Sequence, residues 1–216
     1  VEVLGLIFVI ALVLLLAGVS VTSNEMDLKV AFDLTPIKDI SADLVFRAPT
    51  IEDRPVLHEI MNDPDVVAAN EITAEGQQRW KLVIDDPKIS AWRRAEWLVG
   101  VTRESNEIVG LATVGPVPAG HTGISIGLTM REGYRKAGYG TQLAAAMLTV
   151  LHETFLFDIW AFTTPTNTAV QRILQRLGYS PEAESLHFNT ADDQEREWIA
   201  YRCGRREGPP DPAIWA

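Results

Sequence analysis

The chain has 216 residues, 47% of them hydrophobic, and a formal net charge of −10. That is enough for one domain with a sizeable core, and so acidic a balance excludes a sequence-independent nucleic-acid binder, which needs a basic stripe. The single cysteine, Cys203, excludes an intrachain disulfide framework and a cysteine-cluster zinc site, and His58, His121, His152 and His187 show no metal-ligand spacing. An acidic surface instead suits cationic substrates such as amines.

Residues 1–22 form an apolar N-terminal segment in which Val3–Val21 carries no charge. At about 1.5 Å per residue it just crosses a hydrocarbon core of roughly 30 Å. Three readings stand for it: a membrane anchor, a signal peptide that lacks its positively charged start, or a start assigned upstream of Met26. Lys29 and Lys38 follow it and no positive charge precedes it, which places the remainder in the cytoplasm, tethered to the inner face of a membrane if the segment is an anchor. Residues 23–43 read as linker, 44–203 as the folded domain, and 204–216 as a loose Pro/Gly-rich tail.

Within the domain, Leu44–Arg47 reads as a strand. Thr50 with Asp53 resembles a capping box opening a helix over Ile51–Asn62, which Asp63-Pro64 ends. Val66–Thr73 reads as a loop, Ala74–Asp85 as a second helix and Lys88–Ala95 as a loop. Glu96–Arg103 and Glu107–Val114 are strands joined by a turn at Glu104–Asn106. After a Pro/Gly loop at Pro116–Gly120, Thr122–Met130 is the central strand. Thr141–Phe155 is a buried helix and Asp158–Thr163 another strand. The helix Thr168–Leu177 has Asn167 as N-cap, Gly178 past its end, and Val170, Ile173, Leu174 and Leu177 as its apolar stripe. Leu186–Thr190 and Glu197–Cys203 close the domain as a hairpin. Adjacent strands without intervening helices imply an α+β fold with a mixed, mostly antiparallel sheet.

Between the central strand and the long helix lies Arg131–Gly140, REGYRKAGYG. A strand, a glycine loop and a helix N-terminus make an anion site, because first-turn N–H groups lack partners and the helix dipole is positive there. Gly138 and Gly140 let phosphates approach the backbone closely, and Arg131, Arg135 and Lys136 add positive charge. The loop is neither a P-loop nor a dinucleotide fingerprint, since no G-K-[ST] follows and G-x-G-x-x-G is missing.

The spacing R-x-x-G-x-G of Arg135, Gly138 and Gly140 resembles the pyrophosphate-binding loop of the GNAT superfamily of acetyl-CoA-dependent N-acetyltransferases. Asn167–Tyr179, NTAVQRILQRLGY, resembles that superfamily's later N-x-[AS]…L-x-x-L-G-[FY] helix. Phe46–Val66 resembles the opening of the branch containing ribosomal-protein alanine acetyltransferases. The resemblance covers Leu44–Cys203 and implies a six- to seven-stranded sheet flanked by about four helices. It implies acetyl-CoA as cosubstrate and no metal. It also implies pyrophosphate binding by the backbone N–H groups of Arg135, Lys136, Ala137, Gly138, Tyr139, Gly140 and Thr141. Pantetheine would lie beside Leu128, Thr129 and Met130, with the Met130 N–H toward the thioester oxygen. Asn167 either caps its helix alone or also bonds the pantetheine arm, and Gly127 is either a bulge or close-approach glycine or a plain strand glycine.

Two departures leave the acid and base unassigned. Many members carry a tyrosine seven residues after the asparagine, where this chain has Leu174, and a central-strand glutamate, where it has Ser125. His121 and Glu71 are the candidate bases, directly or through water. A site without a strong base suits an α-amine, whose pKa is about 7.7–8.0, better than a lysine near 10.4. The expected reaction is acetyl transfer to a primary amine, preferably the α-amine of a protein or peptide. Acceptor selectivity is expected in Val66–Thr73 and Ala191–Glu195. The alternatives are a non-catalytic acyl-CoA-binding domain and an antibiotic or polyamine acetyltransferase.

Overall fold

Among the described residues seven strands build one sheet: β1 (Leu44–Arg47), β2 (Trp97–Thr102), β3 (Ile108–Pro116), β4 (Ile124–Met130), β5 (Ile159–Thr163), β6 (Leu186–Asn189) and β7 (Glu195–Cys203). Their spatial order is β1-β2-β3-β4-β5-β7-β6, and every neighbouring pair is antiparallel except β4–β5. Among the described residues five helices accompany them: α1 (Arg54–Asn62), α2 (Pro64–Ala69), α3 (Ala74–Asp85), α4 (Tyr139–Thr154) and α5 (Thr168–Arg176). This computed structural model describes residues 34, 37–69, 72, 74–86, 97–117, 123–154, 158–183, 186–189 and 195–203. The apolar N-terminal segment, most of the linker, Lys88–Ala95, His121, Glu71, Ala191–Asp193 and the tail lie outside those residues. Among the described residues no helix is long and apolar enough to cross a membrane.

The mixed, mostly antiparallel sheet expected from the strand order is the one observed, and each of its faces carries helices. On one face α4 is buried along most of its length, with Leu143, Met147 and Leu151 almost fully enclosed against Leu44, Leu98, Val109 and Ile159. On the other, Leu57, Ile60 and Met61 of α1 and Ile84 of α3 pack on Trp97, Val99, Val101 and Leu111. Strict alternation along a strand assigns side chains to two faces, and β2 obeys it. Strand β3 does not: Gly100 pairs with Gly110 but Val101 pairs with Ile108, leaving Val109 as an extra residue. That bulge switches the alternation, so Val109 and Ala112 face α4 while Ile108 and Leu111 face α1. The Val109 carbonyl also accepts the Arg131 N–H at 2.9 Å, fixing where β4 hands over to the glycine loop.

The stretch read as a loop over Val66–Thr73 begins instead inside helix α2. Asp63 explains the difference. Its Oδ1 accepts the N–H of Asp65 at 2.8 Å and of Val66 at 3.3 Å, so it caps a new helix with Pro64 in the first turn. The residue pair that stops α1 therefore starts α2.

Helix α1 is preceded by a 3-10 turn over Ile51–Asp53. Asp53 accepts the Thr50 N–H at 2.6 Å and a bidentate pair from Arg47 at 2.6 and 2.9 Å, which ties β1 to the helix entrance. Burial pushes the Asp53 carboxyl up, but the bonds from Arg47 and Thr50 and the Arg47 charge outweigh it and hold it below the usual range. A carboxyl depressed in the folded state contributes stability above its unfolded pKa of about 3.9, lost as pH falls through the folded value. Asp53→Asn should cost about 2 kcal/mol at pH 7. The gap between variant and parent should close as urea midpoints are followed from pH 5 down to pH 2.

Candidate active site

Strand β4 pairs with β3 along its whole length, from Ile124↔Pro116 to Met130↔Gly110. Toward β5 it pairs only at Ile124, Ser125 and Ile126. The two parallel strands therefore part after Ile126, and Gly127–Met130 present an edge without a strand partner. Gly127 stands at this fork. The β3–β4 register runs through it without a bulge, and a Cβ there would come within 2.7 Å of the Thr113 hydroxyl, the end of a side chain. A cleft of about 850 Å³ runs along the open edge. Leu128, Thr129 and Met130 form its floor, Asp65, Val66 and Ala69 of α2 one wall, and Asn167 with one side of α5 the other.

At one end of the cleft the chain turns through Arg131–Tyr139. Lys136 at φ 68° and Gly138 at φ 87° both adopt left-handed backbone, turning successive N–H groups to one side. The Arg135 N–H is used by Glu132 O at 3.2 Å, and the Thr141 N–H by Gly138 O at 3.0 Å. Between them the N–H groups of Lys136, Ala137, Gly138, Tyr139 and Gly140 have no acceptor among the described residues. The amide run expected over Arg135–Thr141 is thus narrower by one residue at each end. The two glycines differ. A Cβ on Gly138 would meet nothing within 4 Å, leaving its face open to the cleft, whereas one on Gly140 would meet Ile173 Cδ1 at 3.0 Å. Gly140 thus also gives α5 room to lie close against the first turn of α4, while its own N–H stays in the open run.

The positive charge expected from three loop cations is also redistributed. Arg131 makes a bidentate pair with Glu59 at 2.7 and 3.0 Å, which raises its pKa further. Arg135 bonds Asp63 at 2.6 Å, Asp65 at 2.8 Å and the Met130 carbonyl at 3.3 Å. Both guanidinium groups tie the loop to α1 and α2, so each is largely neutralised where it stands. Lys136 lines the cleft with no carboxylate partner among the described residues, and so do Arg172 and Arg176 of α5. Sequence reading missed that arginine pair. The signal was the spacing of Ala169, Arg172 and Arg176 on the helix face opposite the buried Leu174 and Leu177.

Asn167 caps α5, its Oδ1 accepting the Val170 N–H at 3.4 Å, while also lining the cleft. Gly178, at φ 77°, ends the helix: its N–H bonds Gln175 O at 2.8 Å and that of Tyr179 bonds Leu174 O at 3.0 Å, a Schellman closure. Leu174, where a tyrosine acid was looked for, is 2% exposed in the core. Tyr134 lines the cleft, but its hydroxyl donates to Glu107 at 2.6 Å and that carboxylate raises its pKa. Cys203 is fully buried and burial pushes its thiol up to about 12, so it is no nucleophile. The arrangement binds and orients: open strand edge, unpaired amides, flanking cations.

A family model described as an acetyltransferase (GNAT) domain matches residues 43–180. Among solved structures, a GNAT-family acetyltransferase from Bacillus anthracis is similar at 22% identity and TM-score 0.57, covering 75% of this chain and 93% of its own. A putative acetyltransferase from Salmonella typhimurium, solved with its cofactor acetyl-CoA, is similar at 17% identity and TM-score 0.56, covering 79% and 99%. A ribosomal-protein-alanine N-acetyltransferase from Brucella melitensis is similar at 19% identity and TM-score 0.55, covering 73% and 98%. No curated protein matches the sequence. The family model, spanning most of the folded domain and both the amide loop and α5, shows that this chain belongs to the GNAT acetyltransferases, acyltransferases whose acetyl donor is acetyl-CoA.

Proposed function

We propose that this acetyltransferase acts on the α-amine of a protein or peptide, and that the cleft along β4 is where donor and acceptor meet. The observation that carries the reading is the open edge of Gly127–Met130 leading directly to the unpaired amides of Lys136–Gly140. Those amides hold the diphosphate of the donor. Leu128, Thr129 and Met130 bond the pantetheine amides as a missing strand would, and Asn167 bonds the same arm while capping α5. The bound thioester supplies the acetyl carbon that the amine attacks. Helix α2 faces the acceptor through Val66 and Ala69.

No described residue lining the cleft is a free general base, since Asp65 is held by Arg135. The acceptor must therefore arrive neutral. At pH 7 the neutral fraction of an α-amine exceeds that of a lysine by roughly 300-fold. The likeness of Phe46–Val66 to the ribosomal-protein alanine branch supports the same preference.

The test is release of coenzyme A thiol with two peptides: one with a free N-terminus and no lysine, one with a blocked N-terminus and an internal lysine. The first should react at least about a hundredfold faster at pH 7, and its kcat/KM should rise tenfold per pH unit before levelling near pH 8. Acetylation confined to the lysine peptide would overturn the α-amine preference.

A further inference from the structure

Strand alternation divides β4 between the two faces of the sheet. Ile124, Ile126, Leu128 and Met130 pack on the α4 side, so Ser125, Gly127 and Thr129 lie on the α1 side. Strand β3 continues that face from Leu111 to Thr113. Strand β5, whose Ile159 and Ala161 belong to the α4 side, turns Trp160 and Phe162 to it, their rings stacked at 6.1 Å and 16°. Past the point where β4 and β5 part, this face forms a notch. Thr113 stands on one flank, Phe162 on the other, and the exposed Gly127 is the floor. The Thr113 hydroxyl lies over that floor, 2.7 Å from where a Gly127 Cβ would be. It has no hydrogen-bond partner among the described residues and is not sealed in the core, unlike the orphaned hydroxyl of Thr163. Helix α2 reaches the same side: the Ala69 carbonyl accepts Thr164 Oγ1 at 3.3 Å, which pins the end of α2 just past the end of β5.

We propose that the Thr113 hydroxyl accepts an N–H of the attacking amine over Gly127 and so aims the amine's lone pair at the acetyl carbon. This rests on the donor cleft and the acceptor side proposed above. A donor held by its diphosphate at the amide loop and lying along Met130, Thr129 and Leu128 extends about 10 Å along the strand, which carries its acetyl group past Met130 to the fork. A neutral primary amine offers N–H donors as well as its lone pair. With one N–H held by Thr113 Oγ1, the lone pair is fixed relative to the carbon instead of sweeping freely. The nitrogen then forms the C–N bond, the C–S bond breaks with its electron pair going to sulfur, and the thiolate takes up, through solvent, the proton that the nitrogen gives up. Thr113 has no net proton to gain or lose in this role, so a site without a free carboxylate or imidazole can use it. Gly127 serves the same step, because a side chain there would push the hydroxyl aside and fill the notch.

The experiment is steady-state kinetics of the full chain with acetyl-CoA and the peptide bearing a free N-terminus, comparing the parent with Thr113→Val, Thr113→Ser and Gly127→Ala. Thr113→Val keeps the β-branched shape and removes the hydroxyl. It should lower kcat/KM for the acceptor about tenfold, as expected for one hydrogen bond to the reacting group, while the KM for acetyl-CoA stays within about twofold. Thr113→Ser, which keeps the hydroxyl, should stay within about threefold of the parent. Gly127→Ala should fall as far as Thr113→Val. The rise of rate with pH should keep its shape in all four proteins, because the hydroxyl orients a nitrogen that is already neutral. Thr113→Val at the parental rate overturns the proposal. So does a serine variant as slow as the valine one, or a KM for acetyl-CoA that rises as much as the acceptor's, since Thr113 would then only shape the strand. A parent that acetylates only the lysine peptide overturns the α-amine preference alone, and the same comparison made on that peptide still decides the role of Thr113.

Discussion

Gly138→Asp should raise the KM for acetyl-CoA by about two orders of magnitude in a protein that stays folded. The position is at φ 87° with nothing within 4 Å of a built Cβ, so the only structural penalty is left-handed backbone, about 1 kcal/mol and least for Asn and Asp. A carboxylate there sits at the centre of the amide run. At about 5 Å from a diphosphate charge and an effective dielectric of 20, repulsion is roughly 3 kcal/mol per charge pair. Gly138→Ala is the control, carrying at least as much backbone strain without the charge, and it should raise KM only a few fold. Steady-state kinetics and a thermal melt decide it. If Ala and Asp raise KM equally, the effect is strain and no anion binds there. An equivalent change at Gly140 is less informative, because a side chain there would meet Ile173 Cδ1 at 3.0 Å and so press on α5 as well.

Much of this was legible before the structure, for reasons that differ by element. The strand–loop–helix order and the cap and end of α5 are local, written in period, Asn167 and Gly178. The R-x-x-G-x-G loop could be located, but the division of labour within it could not. Which amides are free depends on the turns at Glu132 and Gly138. Whether Arg135 points at a ligand or at Asp63 depends on a contact 72 residues away in sequence. The bulge at Val109 is likewise a property of pairing between two strands, not of either strand. Helix α2 was missed because Asp-Pro was read only as a stop, when the same aspartate also starts the next helix.

Arg135→Ala should lower the melting temperature by about 4–8 °C and raise the KM for the acceptor more than that for acetyl-CoA. Arg135 joins the donor loop to the α1–α2 corner through Asp63, whose side chain is 13% exposed, and Asp65, which is 81% exposed. An exposed pair contributes little, so nearly all the loss, about 2 kcal/mol, comes from leaving Asp63 partly buried and unpaired. At roughly 2–4 °C per kcal/mol for a domain of this size, that gives the stated shift. A double-mutant cycle should return a coupling of about 2 kcal/mol with Asp63→Ala and under about 0.5 with Asp65→Ala. Arg135→Lys should not restore the parent, since one ammonium cannot span two carboxylates and the Met130 carbonyl as the guanidinium fork does. The acceptor effect follows from Val66 and Ala69: freed from the loop, α2 no longer holds its wall of the cleft. Equal coupling to both aspartates, or an unchanged melting temperature, would mean that the pair is incidental and that α2 is positioned by its packing alone.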